Sequence, residues 1–222
     1  MNEWDVTPKE AVEIQKRLRD QIRLTPLTET PRLIGGCDVS MNRFADEGYA
    51  GFVTLSYPDL KLVGHAVVRG KIPFPYIPGL LSFREIPMLL TAWEALGEKP
   101  DLIMVDGVGI AHPRRLGIAS HLGLVLNVPT IGAAKNVLTG TYDEPHPEPP
   151  AFTYLRDRLS QETIGAAIRT KRGARPMFIS PGHLITLDEC IDFVRDTTRK
   201  HRLPEPTRLA HTFVNEYRVK DT

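Results

Sequence analysis

Two aspartates in this chain each close an apolar run, and each has glycine nearby. Asp38 ends "RLIGGCD", after Gly35-Gly36, and Asp106 ends "LIMVD", before Gly107. Short apolar runs of this kind read as strands buried on both faces. The carboxyl ends of parallel strands are where α/β sheets place their ligands. Two carboxylates side by side in a low-dielectric cleft repel strongly, and a divalent cation is the usual offset. A set of oxygen ligands favours Mg²⁺, with Mn²⁺ able to substitute, over zinc. Glu85 can supply a third carboxylate. A strand-end aspartate taken singly more often caps a turn, so the reading rests on the pair.

Glu85 stands near the end of the stiff segment "KIPFPYIPGLLSFREIP" (Lys71–Pro87). Proline lacks a backbone donor and fixes φ, which makes this stretch a rigid loop, neither a central strand nor an open helix. In its middle Tyr76 is held between Pro75 and Ile77-Pro78. After Asp106 comes "GVGIAHPRR". Its glycines allow close approach to the backbone, and His112, Arg114 and Arg115 suit phosphate oxygens. The same stretch also reads as a glycine-rich connection with a solvated basic tip. Lys135 follows "TIGAA" and is placed to neutralise a phosphate. His211 lies in "PTRLAHTFVN". A lone helical histidine is more often a surface or core residue, and His65, His121, His183 and His201 are read that way first, with His183 in "SPGH" able to sit near the cleft.

The elements that must position these residues follow from local pattern. Thr7-Pro8-Lys9-Glu10 is a capping box, and Ile14, Leu18 and Ile22 recur behind it, giving a helix that ends before Pro26. Strands are expected over Arg32–Ser40, Gly48–Tyr57 and Leu60–Gly70, the last two a hairpin about Pro58-Asp59. A helix over Phe83–Leu96, a strand in Asp101–Gly107, a helix over Arg115–Asn127 and a strand in Val128–Ala134 follow. Proline density peaks at Tyr142–Phe152, read as an exposed excursion. "TIGAAIRT" and "RPMFIS" form a further hairpin. Thr186 opens a helix with a second capping box, and Thr207 is expected to cap the last one. This order suggests an α/β fold, one mixed sheet flanked by helices, in a single domain spanning 1–222.

The composition is that of a soluble globular protein, with 41% hydrophobic and 25% charged residues among 222. Lys+Arg number 28 against Asp+Glu 27, a net charge of +1. Bulk charge therefore does not announce a nucleic-acid binder, although a local patch can exist. No apolar run approaches a membrane span, and Met1-Asn2-Glu3-Trp4-Asp5 is no secretory leader. Cys37 and Cys190 have no metal-binding spacing, and a reduced, cytoplasmic protein is expected.

Taken together, "GGCDVS", "PYIPGLLSFRE", "LIMVDGVGIAHPRRLGIASHLG", "VPTIGAAKNVL", "SPGHLITL" and "LPEPTRLAHTFVN" resemble the endonuclease V family, from about residue 7 to 218. The resemblance implies a ribonuclease H-like fold with a central mixed five-stranded sheet. It implies Mg²⁺-dependent nicking of the second phosphodiester bond 3′ to deoxyinosine, leaving 3′-hydroxyl and 5′-phosphate ends. Asp38 and Asp106 would be direct metal ligands, with Glu85 partly through water. His211 would stand where many ribonuclease H-like nucleases have a fourth acidic residue. Lys135 and His112 would contact the phosphate backbone. Tyr76, with Ile77, Pro78, Gly79 and Arg84, would engage the lesion as a wedge. A pocket at Gly117-Ile118 and Gly132-Ala133 would take the turned-out base, because unstacking is the cost of reaching it and a stiff ring can offset part of that cost.

The implied partners are double- and single-stranded DNA containing deoxyinosine, with no membrane, for a monomer. Inosine-containing RNA is the alternative substrate. A structure-specific ribonuclease H-like nuclease and a catalytically silent inosine binder are further alternatives.

Overall fold

The computed structural model describes residues 4–41 and 46–221. Met1, Asn2 and Glu3, read above as no leader, lie outside them. Helix α1 (Pro8–Leu18) opens as expected: the Thr7 hydroxyl accepts from the Glu10 N–H, and the Glu10 carboxylate accepts the Thr7 N–H at 2.8 Å. Its fully buried positions are Ala11 and Gln15, and Ile14 of the expected stripe is half-buried against the cluster of Ala11, Phe74, Leu80 and Phe83. Ile22 lies past a short 3₁₀ turn at Arg19–Gln21, so the stripe stops being helical there.

Strands β1 (Leu33–Met41), β2 (Glu47–Ser56) and β3 (Leu62–Lys71) form an antiparallel meander. Helix α2 (Leu81–Ala95) carries Pro87 inside it. Strand β4 (Leu102–Val105) then pairs parallel to β1. Helix α3 (Ile118–Leu126) returns the chain to β5 (Thr130–Ala134), parallel to β4. Helix α3 starts later than the pattern suggested because Arg115 adopts a left-handed φ of 59°, which a helix cannot continue through.

Among the described residues the sheet has eight strands, where five were expected. Its order is β3-β2-β1-β4-β5-β8-β7-β6, with β6 (Ala151–Arg156), β7 (Thr163–Arg169) and β8 (Met177–His183) added antiparallel to the mixed centre. Strand β6 follows the proline-rich excursion and buries only Leu155. It therefore leaves no apolar run to read.

Helices α4 (Leu187–Thr197) and α5 (Glu205–Lys220) complete the chain. Thr186 and Glu189 form the second capping box. Thr207 is not a cap: α5 begins two residues earlier behind Pro204, and the Thr207 hydroxyl donates to the Pro204 carbonyl at 3.0 Å. On one face of the sheet Ile86 and Leu89 of α2 and Leu122 of α3 pack on Cys37, Phe52 and Ile103. On the other, Cys190, Ile191 and Val194 of α4 pack on Ile34, Met104 and Ile131. Cys37 and Cys190 are both free and buried. Among the described residues no helix is long and apolar enough to cross a membrane.

Candidate active site

The parallel pairing of β1 and β4 sets Cys37 opposite Val105. Asp106 follows the end of β4 directly, whereas Asp38, expected to end its strand, lies within β1, paired with Gly51 of β2, because β1 runs on to Met41 beside β2 after β4 has stopped. Two residues before Asp38, Gly36 lies under the start of α5. A Cβ there would stand 2.1 Å from the Pro206 carbonyl oxygen. That approach seats α5 so that His211 Nδ1 lies 2.7 Å from Asp38 Oδ2. One turn on, the Asn215 amide donates to the His211 carbonyl at 2.8 Å and accepts from the Ser40 hydroxyl at 2.8 Å. Lys135, the first residue after β5, makes an ion pair with Asp106.

Burial raises the Asp38 carboxyl above its ordinary value, and the Asp106 charge adds to this; the His211 hydrogen bond and Lys135 oppose it. Glu85, on the first turns of α2, is pushed up to about 8 by burial and by the charges of Asp38 and Asp106, with Arg84 opposing. The three carboxylates thus share one field that Lys135 and His211 only partly offset.

That donor set fits a hard divalent cation. Among the described residues no three His, Cys, Asp or Glu side chains form a ready-made cage. A cage is not required for Mg²⁺, which takes one or two carboxylates and completes its octahedron with water and substrate phosphate. Asp38 and Asp106, with side chains 11% and 18% exposed, present such an open edge.

The proline loop lies beside this slot. Tyr76 is 71% exposed. Pro78 and Gly79 occupy the middle of a turn closed by Leu80 N–H to Ile77 O at 2.9 Å, and Gly79 has a φ of +80°. Proline then glycine at those positions is the signature of a type II turn. Between this loop and the segment after β4 lies a cavity of about 200 Å³, walled by Tyr76, Pro78 and Gly79 on one side and Val108, Gly117 and Ile118 on the other. Gly132 does not line it. A Cβ at Gly132 would stand 2.4 Å from the Gly109 amide nitrogen, so this glycine lets β5 pack on the loop after β4.

Several expected phosphate contacts are committed internally. His112 is 2% exposed. Burial first, and the charge of Arg114 second, lower it to about 4, so it is a neutral ring. Its Nδ1 accepts the Arg114 N–H at 3.1 Å, and its Nε2 lies 3.0 Å from Gly79 O. Arg114 bonds Gln15 and Gly79. Arg115 pairs with Asp157 and Glu162, each at 3.1 Å. The basic tip expected from "HPRR" is therefore not a free patch. Arg84 braces the proline loop through Nη1 to Phe74 O at 2.6 Å. His183 is buried and its Nδ1 accepts the Arg23 N–H at 3.3 Å, and His65 stacks on Phe213.

Two residues of this neighbourhood went unread in the sequence. Gln15 at the cavity base left one signal, an uncharged polar residue beside Ile14 on an amphipathic helix. Asn215 left another, an amide one helical turn beyond His211.

The comparisons with known proteins agree with this geometry. A model of the Endonuclease V family matches residues 16–212. Endonuclease V of Gloeobacter violaceus is 47% identical over 218 residues, covering 97% of this chain and 88% of the relative. The crystal structure of Endonuclease V from Streptomyces avermitilis superposes with a TM-score of 0.91 at 38% identity, covering 98% of this chain and 96% of the other. Ciona intestinalis Endonuclease V, solved with a 24mer DNA containing an inosine followed by a ribo-adenosine, gives 0.84 at 27% identity over 96% and 98%. The chain has a ribonuclease H-like fold, is a nuclease, and belongs to the endonuclease V family.

Proposed function

We propose that this protein is a DNA-repair endonuclease that nicks the second phosphodiester bond 3′ to deoxyinosine, leaving a 3′-hydroxyl and a 5′-phosphate. The observation that carries this reading is Tyr76. It is an exposed ring on a proline-braced loop, lining a cavity that reaches Gly107, the residue after Asp106. The inosine-containing strand bound by the Ciona relative supports the same substrate class. The ribo-adenosine in that strand keeps inosine RNA as the second substrate to test.

In this reading Tyr76 stacks into the gap left by the turned-out base and offsets part of the unstacking cost. The cavity receives the base between Gly79 and Gly117-Ile118. Asp38 and Asp106 would hold Mg²⁺ or Mn²⁺, with Glu85 reaching it through water. When bound, the cation activates water and stabilises charge on the phosphate and the leaving oxygen. Lys135, ion-paired with Asp106, would present its ammonium to the substrate phosphate. His211, with Nδ1 on Asp38, places an imidazole where a fourth carboxylate would add negative charge.

Separating capture from cutting tests the assignment. Asp106→Asn should lose about 10³-fold or more in nicking rate while still retarding an inosine duplex in a gel. Tyr76→Ala should weaken inosine binding about tenfold and leave Mn²⁺ binding, read by calorimetry, unchanged. A Tyr76→Ala protein that binds the inosine duplex as well as the parent would remove the wedge from the account.

A further inference from the structure

The carbonyl oxygen of Gly79 receives three side-chain donors. They are Gln15 Nε2 at 3.0 Å, His112 Nε2 at 3.0 Å and Arg114 Nη2 at 2.7 Å. His112 can donate there because its Nδ1 is occupied as an acceptor by the Arg114 N–H. A side chain would be strained at this position, where φ is +80° and a Cβ would stand 2.9 Å from Arg114 Nη2.

Gln15 comes from α1, far from the loop in sequence, and is 1% exposed. Its amide nitrogen also donates to the Leu116 carbonyl at 3.1 Å, and its oxygen accepts from Arg114 Nε. Both amide hydrogens and the oxygen are therefore used, and none is left to read a base. Gly79 belongs to one wall of the cavity, and Leu116 leads directly into Gly117-Ile118 on the other. One side chain thus ties the two walls together. Two residues past Gly79 helix α2 begins, with Glu85 in its first turns and Tyr76 a few residues before it.

We propose that Gln15 is a positioning residue: it braces the Tyr76 loop against the opposite cavity wall and so fixes the wedge and Glu85 in one frame for duplex substrate. The inference rests on the inosine-nicking reading above. In a duplex the base must be unstacked, so a loop that drifts loses the wedge contribution as well as pocket contacts. In a single strand there is little stacking to overcome, and the loss is smaller. A displacement of the order of 1 Å in a positioning group is enough to cost such a reaction heavily.

The test compares kcat/KM on an inosine duplex and on the same inosine strand alone, in Mg²⁺, for the parent, Gln15→Leu and Arg114→Gln. Each variant should fall about tenfold or more on the duplex and no more than about threefold on the single strand. A merely structural role would lower both alike, and equal losses would overturn the brace, as would an unchanged duplex rate. Should Gln15→Leu not fold, Arg114→Gln, altered at a partly exposed side chain, carries the same comparison. A parent that nicks inosine strands no better than guanine strands would refute the underlying reading and the brace with it; a selective parent with variants losing equally would refute the brace alone.

Discussion

His121 is a buried imidazole that the reaction does not use, and it shows how a single residue ties the fold to pH. It is 3% exposed, its Nδ1 lies 3.0 Å from the Ser82 hydroxyl, and its ring packs on Trp4 and Phe83. Burial lowers it from an ordinary 6.5 to about 4. The folded state therefore binds this proton less readily than the unfolded chain. Its contribution to stability is complete above about pH 6.5 and is lost as pH falls through about 4. A His121→Gln protein should show a smaller drop in urea midpoint between pH 7 and pH 4.5 than the parent, with His112 retaining its own share. Identical drops would contradict this assignment. At this scale the sequence revealed what ends an apolar run, which is why Asp38 and Asp106 could be read. It did not reveal the fate of His112, Arg114 and Arg115, because their partners Gly79, Gln15, Asp157 and Glu162 arrive from distant parts of the chain.

At the scale of elements, the crossing of α5 over β1 decides where His211 stands. Gly36 allows that crossing, since the Pro206 carbonyl occupies the space of a side chain. Gly36→Ala should destabilise the protein by about 1–3 kcal/mol, the usual cost of overpacking, measured from the urea midpoint. It should also reduce nicking by moving His211 from Asp38. A variant with parental stability would mean that α5 yields freely at this point. Capping boxes at Thr7 and Thr186 were legible because the chemistry is local. The start of α5 was not, because Pro204 and not a hydroxyl side chain begins it. Strand β6 escaped notice because an edge strand with one buried residue has no hydrophobic pattern to offer.

For the whole molecule, the net charge is +1 and the arginines of the "HPRR" segment are paired internally. The sheet supplies a frame in which Asp38 on β1, Asp106 after β4 and the Tyr76 loop stand on connected elements. On the proposed reading, a frame of that kind would cut at a set displacement from the base it holds. The most direct measurement is an end-labelled duplex with one deoxyinosine, incubated with the protein and Mg²⁺ beside the same duplex carrying guanine. The account predicts a single nick at the second phosphodiester bond 3′ to inosine, absent with guanine and absent in EDTA. Equal cutting of the guanine duplex, or nicks scattered along the strand, would contradict it.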